Sequence, residues 1–205
     1  MKGKFIVIEG LEGAGKSSAI DTCKQFFNQR NIPLVCTREP GGTPCAEALR
    51  DVVKHPWQEK VTPATELLIM YAARSQLVEN VIQPSLAAGQ WVLGDRHDLS
   101  TQAYQGGGRQ LPDSMIMPVR QVALGDFAPD YTIYLDVEPA EGLRRARGRG
   151  ELDRIELEDL SFFERTRQRY LELAEQNDSI VVISSMQSMD KVQADILAQL
   201  AVWVG

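Results

Sequence analysis

The sequence predicts an open, doubly wound α/β fold of three layers, in which a five-stranded parallel sheet is flanked by helices. Five short, nearly continuous apolar runs have the pattern of strands buried on both faces. Longer segments with helical periodicity separate them, and this alternation favours parallel strands. The predicted strands are residues 4–8, 33–36, 91–94, 132–135 and 180–183. The predicted helices are residues 15–30, 43–54, 63–88, 112–125, 138–149, 157–176 and 189–203.

The composition is that of an ordinary globular protein. The chain has 205 residues, of which 43% are hydrophobic and 24% are charged, and this excludes disordered and fibrous classes. We expect a single domain over residues 1–205. The formal net charge of −6 disfavours nucleic acid as a partner, because general nucleic-acid binding needs an excess of Lys and Arg.

Membrane and zinc-binding classes also find no support in the sequence. No apolar run approaches the ~18 residues needed to cross a bilayer, and residues 1–4 lead into the first predicted strand, so we expect a cytoplasmic protein without a membrane partner. The three cysteines have no Cys-x-x-Cys spacing and only two histidines accompany them. Any bound metal should therefore have oxygen ligands.

A glycine-rich segment joins the first predicted strand to the first predicted helix. Gly10-Leu-Glu-Gly-Ala-Gly-Lys-Ser17 fits the phosphate-binding pattern G-x-x-x-x-G-K-[ST]. Its glycines let backbone N–H groups surround phosphate oxygens, Lys16 can reach the β and γ phosphates, and Ser17 can ligate Mg²⁺. A chance match in a strand-to-helix turn is the alternative, which the flanking elements disfavour. The pattern predicts a P-loop NTPase-type fold and the following ATP-binding residues: Gly10, Leu11, Glu12, Gly13, Ala14, Gly15, Lys16, Ser17 and Ser18.

The P-loop alone does not distinguish a kinase from a GTPase or a motor ATPase. The sequence contains no Asn-Lys-x-Asp element for reading guanine. The chain is also too short for a separate coupling domain. These observations favour a kinase with a small substrate.

Two further segments follow predicted strands and carry positive charge. Arg38 opens the sequence Arg-Glu-Pro-Gly-Gly-Thr after the second strand, and Asp95-Arg-His follows the third. Ligands of open α/β sheets bind outside the carboxyl ends of the strands, so Arg38 and Arg96 could hold an acceptor phosphate, and Asp95 could hold Mg²⁺. The alternative is a pair of loop ion pairs, Arg38 with Glu39 and Asp95 with Arg96.

Arg74 falls on the inward face of a predicted helix. Leu67, Tyr71, Arg74 and Val78 follow one another at steps of three and four. A buried arginine needs either an internal carboxylate or a ligand that accepts hydrogen bonds, such as a base carbonyl. Met70 lies one turn earlier and could pack against a flat ring. The sequence leaves both partners of Arg74 open.

A cluster of arginines with glycine hinges lies near residues 144–156, and its members are Arg144, Arg145, Arg147, Arg149 and Arg154. Gly148 and Gly150 interrupt the cluster. Such a segment suits a lid that closes over donor phosphates and neutralises charge in the transition state. A solvated basic turn, screened by neighbouring acidic residues, is the alternative. On the next predicted helix, Arg165, Arg167 and Arg169 are expected to form a solvated face.

Taken together, these segments resemble those of the bacterial thymidylate kinases, a family of P-loop nucleoside monophosphate kinases. The resemblance covers nearly the whole chain and rests on Phe5-Ile-Val-Ile-Glu-Gly, the P-loop, Thr37-Arg-Glu-Pro-Gly-Gly-Thr, Tyr71-Ala-Ala-Arg, Gly94-Asp-Arg-His, Ser100-Thr-Gln-Ala-Tyr-Gln-Gly-Gly-Gly and Gly148-Arg-Gly-Glu-Leu-Asp-Arg-Ile-Glu. It implies an ATP- and Mg²⁺-dependent enzyme that phosphorylates dTMP to dTDP, a homodimer, and a peptide bond before Pro40 that is often cis.

The resemblance also implies roles for individual residues. The catalytic residues would be Lys16, Arg38, Arg96 and Arg149, the last supplied by the lid because the P-loop contains no arginine. The substrate-binding residues would be Glu12, Arg38, Pro40, Met70, Arg74, Arg96, Thr101, Tyr104 and Gln105. Within this set, Arg74 would bond the thymine, Glu12 would meet the sugar 3′-hydroxyl, and Tyr104 would disfavour a 2′-hydroxyl. The metal ligands would be Ser17 and Asp95.

Two departures from the family pattern leave alternatives open. Met70 stands where relatives commonly have a phenylalanine, and Ile183-Ser-Ser-Met stands where they often have an aspartate beside adenine. One alternative is another nucleoside monophosphate kinase, acting on dUMP, UMP or dGMP. The other is a catalytically silent nucleotide-binding protein.

Overall fold

The computed structural model describes residues 3–148 and 153–205. Its five strands form one fully parallel sheet in the order β2-β3-β1-β4-β5. The strands are β1 Phe5–Gly10, β2 Leu34–Arg38, β3 Trp91–Asp95, β4 Tyr131–Asp136 and β5 Ile180–Ser184. The predicted sheet is confirmed, and each strand lies within two residues of its predicted bounds.

Helices cover both faces of the sheet. The helical elements are α1 Lys16–Gln29, α2 Pro44–Lys54, α3 Pro63–Leu77, the π-helical segment π1 Val78–Ile82, α4 Gln83–Ala87, α5 Asp98–Thr101, the π-helical segment π2 Gln102–Gly108, α6 Asp113–Leu124, α7 Pro139–Arg147, α8 Leu160–Glu175 and α9 Met189–Val204. The central strand β1 is buried throughout. Phe5 and Val7 pack with α3 and α6 on one face, whereas Ile6 and Ile8 pack with α1, α8 and α9 on the other. This alternation explains the continuous apolar run of β1.

The helical segment at residues 98–108 was not predicted from the sequence. Its glycines give no helical apolar pattern, but they allow a close approach to α8. A Cβ atom on Gly108 would lie 2.5 Å from a ring carbon of Phe162, and one on Gly107 would lie 2.6 Å from Cβ of Arg169. Tertiary packing, rather than local propensity, therefore accounts for this segment.

The expectation that three arginines of α8 form a solvated face is wrong. Arg167 makes two hydrogen bonds to the Asp136 carboxylate at the end of β4, at 2.7 and 2.9 Å. Arg169 contacts both carboxylate oxygens of Asp113 at 2.8 Å, and Arg165 donates to a backbone carbonyl of π2. These side chains connect α8 to its neighbours.

Within residues 3–148 and 153–205, none of the helices combines the length and apolar character that crossing a bilayer requires.

Candidate active site

The P-loop turns between β1 and α1 in a conformation that depends on glycine. Gly13 and Gly15 have φ values of 74° and 88°, a region that side chains with a Cβ atom rarely adopt. A Cβ atom on Gly13 would also lie 2.1 Å from the carbonyl oxygen of Gly142 in α7. The loop is therefore packed closely against α7 while its other side stays open.

Lys16 folds back over this loop. Its Nζ donates to the carbonyl oxygens of Gly10 and Leu11, both at 3.0 Å. Burial, reinforced by the nearby positive charge of Arg96, lowers the pKa of Lys16 from 10.5 to about 8. Phosphate groups would offset both effects by supplying negative charge next to the ammonium group.

A cavity of about 430 Å³ lies at the carboxyl ends of β1, β2 and β3. Its lining includes Arg38, Pro40, Met70, Tyr104 and Gln105. The predicted ATP-binding residues that line it are Glu12, Gly13, Gly15, Lys16, Ser17 and Ser18. The remaining three predicted ATP-binding residues, Gly10, Leu11 and Ala14, are buried in the loop and are not among the lining residues. One space thus joins the P-loop to the predicted acceptor residues.

Arg96 and Glu12 form the central ion pair of the cavity. Arg96 Nη2 lies 2.7 Å from Glu12 Oε1, and the Tyr104 hydroxyl donates to Glu12 Oε2 at 2.6 Å. Arg96 Nη1 also donates to Ser100 Oγ at 3.1 Å. This partner differs from the Asp95–Arg96 loop pair considered from the sequence. The arrangement places one cation and one hydroxyl group against the P-loop carboxylate.

A buried carboxylate that the sequence analysis missed holds Arg96 in place. Glu9, at the end of β1, accepts hydrogen bonds from the backbone N–H groups of His97 and Ser100, at 2.8 and 3.2 Å. The hydroxyls of Ser100 and Tyr170 donate to its other oxygen. Burial raises the pKa of Glu9. Arg96 has a φ of 68°, and these bonds to the following residues stabilise that strained turn.

Arg38 lies at the rim of the cavity, at the end of β2 and next to Asp95 in β3. Its Nη2 lies 2.8 Å from Glu47 Oε2, so the Arg38–Glu39 pair considered from the sequence is wrong. The other Glu47 oxygen accepts from the Gly42 N–H at 2.7 Å. The Glu39–Pro40 peptide bond is cis, as the resemblance implied.

Arg74 is paired inside the protein. Its Nε donates to Glu39 Oε2 at 2.6 Å and its Nη2 to the carbonyl oxygen of His97 at 3.0 Å. Of the two partners that the sequence left open, the internal carboxylate is therefore present. Arg74 Nη1 is buried and has no hydrogen-bond partner among residues 3–148 and 153–205. Asp98 Oδ1 lies 3.8 Å from it, so as far as the described residues go the Nη1 amino group remains a free hydrogen-bond donor.

Two further predicted base-binding residues carry buried polar atoms of the same kind. Thr101 Oγ1 and Gln105 Oε1 lack hydrogen-bond partners in the described part of the chain. Gln105 lines the cavity together with Met70, whereas Arg74 and Thr101 are not among the described lining residues. Unpaired buried polar atoms are unusual in folded proteins and need an explanation. A polar ligand would supply one.

The structure brings together the two predicted metal ligands. Ser17 and Asp95 both line the cavity, and Asp95 Oδ1 is buried without a hydrogen-bond partner from the described residues. The residues described contain no group of three or more His, Cys, Asp or Glu side chains that could hold a metal ion by themselves. Two oxygen ligands fit Mg²⁺, because this ion is usually held by one or two protein groups together with water and phosphate oxygens.

The predicted lid only partly resembles a free basic segment. Arg149 lies outside the described residues, and Arg144, Arg145 and Arg147 belong to α7. Arg145 lines the cavity and donates to the carbonyl oxygen of Ser185 at 3.2 Å. Arg154 donates to the carbonyl oxygen of Val53 at 2.9 Å. Both ends of the predicted lid are therefore anchored to the body of the protein.

The sequence analysis did not identify two cations of the cavity, Arg50 and Lys54. Arg50 donates to the Pro40 carbonyl oxygen at 2.6 Å and lines the cavity together with Lys54 and Arg145. Arg50 and Lys54 lie on α2, about two and three helical turns after the Gly-Gly-Thr turn. Because this helix follows a predicted anion site, its two cations could have been predicted from the sequence to face the cavity.

Comparisons with known proteins show which family the chain is similar to. A family model described as thymidylate kinase matches residues 8–196. A thymidylate kinase of Idiomarina loihiensis is 60% identical over 197 residues, which are 96% of each chain. One of Alteromonas mediterranea is 58% identical over 204 residues, which span 100% of this chain and 92% of the relative. A crystal structure of thymidylate kinase from Ehrlichia chaffeensis matches with a TM-score of 0.79 and 27% identity, over 98% of this chain and 99% of that one.

Proposed function

The chain belongs to the thymidylate kinase family, and from this premise we propose how its residues carry out the reaction ATP + dTMP → ADP + dTDP. One observation carries the proposal. A single cavity joins the P-loop residues Lys16 and Ser17 to Arg38 and Arg96 and to the base-pocket residue Gln105. Two nucleotides can therefore meet through their phosphates in one space. The relatives, at about 60% identity, disfavour the alternatives of another acceptor or a silent binding protein.

The acceptor phosphate is the nucleophile in this mechanism. An oxygen of the dTMP phosphate forms a bond to the γ-phosphorus, and the bond from that phosphorus to the β,γ-bridging oxygen breaks as ADP leaves. No general base is needed, because the second pKa of a phosphate monoester is about 6 and the group is mostly dianionic at neutral pH. The work of the protein is to position two anions that repel each other.

The cations of the cavity divide this work. Lys16 binds the β and γ phosphates, exchanging its bonds to the P-loop carbonyls for bonds to phosphate oxygens. Arg38 and Arg96 bind the acceptor phosphate from the rim and from the centre of the cavity. We place the lid at residues 144–156 of a single domain, residues 1–205. Its Arg149 would bind the transferred phosphoryl group. Ser17 and Asp95 would hold Mg²⁺, which supplies charge neutralisation at the β and γ phosphates.

The buried pocket binds the thymine and the sugar. Arg74 Nη1 offers a donor, Thr101 Oγ1 a hydroxyl and Gln105 Oε1 an acceptor, and none of the three atoms has a hydrogen-bond partner among the described residues. A thymine presents carbonyl acceptors and one N–H donor, so both kinds of group find a match. Met70 packs against the ring, and Glu12 and Tyr104 face the sugar in the same cavity. This match between the donors and acceptors of the pocket and those of thymine supports dTMP as the acceptor.

We also propose that two copies of the chain form a homodimer through α3 and α6. These helices pack against each other and expose apolar side chains, among them Leu68 at 56%, Met115 at 43% and Val122 at 91%. Exposed apolar groups of this size commonly mark interfaces. Val122→Glu should give a monomer in analytical ultracentrifugation; an unchanged dimer would contradict this surface. We propose a cytoplasmic enzyme without nucleic-acid or membrane partners; the net charge of −6 argues against general nucleic-acid binding.

The reaction is tested by following dTDP formation from ATP with a panel of acceptors. We expect dTMP to give the highest kcat/KM among dTMP, dUMP, UMP and dGMP, and to require Mg²⁺. Arg149→Ala should reduce kcat by about 10³-fold, the effect of removing a transition-state arginine. Equal turnover of UMP and dTMP would refute the thymidylate assignment, and an unchanged Arg149→Ala variant would refute the role of the lid.

A further inference from the structure

Glu66, in the first turn of α3, is a buried carboxylate behind the base pocket. Its side chain is 1% exposed. Oε1 accepts hydrogen bonds from Gln105 Nε2 at 2.8 Å and from Arg109 Nε at 3.1 Å. Oε2 accepts from Arg109 Nη2 at 3.1 Å and from Arg154 Nη2 at 2.6 Å. A carboxylate has about four lone-pair positions, and the four donors use them all.

Glu66 is ionised at neutral pH. Burial by itself would raise its pKa, but the hydrogen bonds and charge of Arg109, with the bonds from Gln105 and Arg154, lower the pKa below its usual value. An ionised carboxylate only accepts hydrogen bonds. The end of the Gln105 side chain that faces Glu66 must therefore be its NH₂ group.

This contact determines what Gln105 presents to the cavity. The amide is planar and its two ends point apart, so its carbonyl oxygen faces away from Glu66. That oxygen is buried, and residues 3–148 and 153–205 offer it no hydrogen-bond partner, although Gln105 lines the cavity. We propose that Glu66 is a specificity-determining positioning residue, which fixes the Gln105 amide so that an acceptor, and not a donor, faces the base. The inference rests on the proposed use of dTMP.

The chemistry of pyrimidines gives this orientation a consequence. Thymine and uracil carry a hydrogen on N3, which can donate to the Gln105 carbonyl oxygen. Cytosine has an unprotonated N3, which is itself an acceptor and would face another acceptor. Leaving buried polar groups unpaired is a strong means of rejecting the wrong substrate. Glu66 should therefore act against dCMP while leaving thymine and uracil undistinguished.

Glu66→Gln tests the inference because it permits the opposite orientation. In the variant, the amide oxygen should take the position of Oε2, because two arginine donors face that position. The new NH₂ group then falls at the position of Oε1, where it faces Gln105 and no longer accepts from Arg109 Nε, at some cost in stability. Gln105 can accept from it by turning its own NH₂ group to the cavity. We expect the ratio of kcat/KM for dTMP to that for dCMP to fall about tenfold or more, mainly through KM.

A double variant separates orientation from simple loss of charge. In Glu66→Gln/Gln105→Glu the carboxylate and amide exchange places and the net charge is unchanged. The new amide donates to the new carboxylate, whose other oxygen again presents an acceptor to the base. We expect the dTMP/dCMP ratio to return toward the wild-type value. If the single variant does not fold, the double variant alone tests the inference. A folded double variant without the wild-type preference for dTMP over dCMP would overturn it.

Glu158→Gln is the matched control. Glu158 also pairs with Arg109 but has no hydrogen bond to Gln105 among the described residues. We expect this variant to keep the wild-type ratio. A folded Glu66→Gln variant that loses stability without changing the ratio would show a purely structural role and overturn the inference. A wild-type chain that does not phosphorylate dTMP would instead refute the proposed function.

Discussion

The phosphate side of the cavity and its base side hold their charged groups in different ways. On the phosphate side, formed by the P-loop and Arg38, Lys16 bonds only to carbonyls among the described residues. Arg38 pairs with Glu47, and the side chains are 50% and 37% exposed. On the base side, Arg74 pairs with Glu39 at 1% and 3% exposure. In the proposed mechanism, phosphates therefore replace weak contacts on one side, whereas the base enters a pocket whose ion pair is already formed.

The largest expected effect is on the phosphate side and concerns activity. Lys16→Met removes the ammonium group that would bind the transferred phosphoryl, so kcat should fall by about 10³-fold or more. Folding stability should not fall, because the variant also removes a buried cation whose bonds are to backbone carbonyls. Steady-state kinetics and urea unfolding measure the two quantities. Lys24→Met, an exposed lysine of the same helix, is the control and should keep full activity.

The sequence predicted the phosphate side better than the base side, and the reason is physical. The P-loop is one contiguous segment, so its spacing alone carries the chemistry. The base side is assembled by pairs far apart in the chain: Glu39 and Arg74 are 35 positions apart, and Glu66 and Arg154 are 88 apart. No local pattern specifies which buried carboxylate meets which arginine. Glu66 nevertheless precedes Met70 by one helical turn on the inward face of α3, and that position was a usable signal.

The second prediction tests whether the base side is held by its buried ion pair. Glu39→Gln removes the nearer of the two carboxylates that pair with Arg74 and leaves only Asp98, whose Oδ1 lies 3.8 Å from Nη1. The free energy of unfolding should therefore fall by up to about 3–5 kcal/mol. Removing both charges, in Glu39→Gln/Arg74→Met, should recover much of this stability while dTMP binding stays weak. Urea unfolding and titration with dTMP measure these effects. A loss below about 1 kcal/mol, the value typical of an exposed pair, would remove the contrast between the two sides.

The third prediction concerns the pH dependence of ATP binding on the phosphate side. The depressed pKa of Lys16, about 8, means that the free enzyme loses this proton as the pH rises above that value. Bound phosphates favour the protonated amine, so nucleotide binding must take up a proton there. The ATP affinity should be nearly constant below pH 8 and fall about tenfold per pH unit above it. Calorimetric titration across pH 7–9.5 measures the slope.

The control for this pH dependence is the exposed lysine of α9. Lys191→Gln should keep the wild-type slope because this residue is remote from the P-loop in sequence and pairs with Asp195 on the same helix. Lys16→Met should bind ATP weakly at all pH values, with no break near pH 8. A wild-type affinity that stays constant up to pH 9.5 would mean that Lys16 remains charged in the free enzyme.

The smallest expected effect is at the exposed pair on the rim. Glu47→Gln removes the charge that pairs with Arg38, but water replaces much of that interaction, so unfolding stability should change by about 1 kcal/mol or less. The KM for dTMP should fall or stay constant, because the acceptor phosphate no longer competes with a carboxylate for Arg38. Unfolding and kinetics at low and high salt measure both effects. A stability loss as large as that of Glu39→Gln would show that the rim is as firmly organised as the base pocket, and that phosphates do not enter by replacing weak contacts.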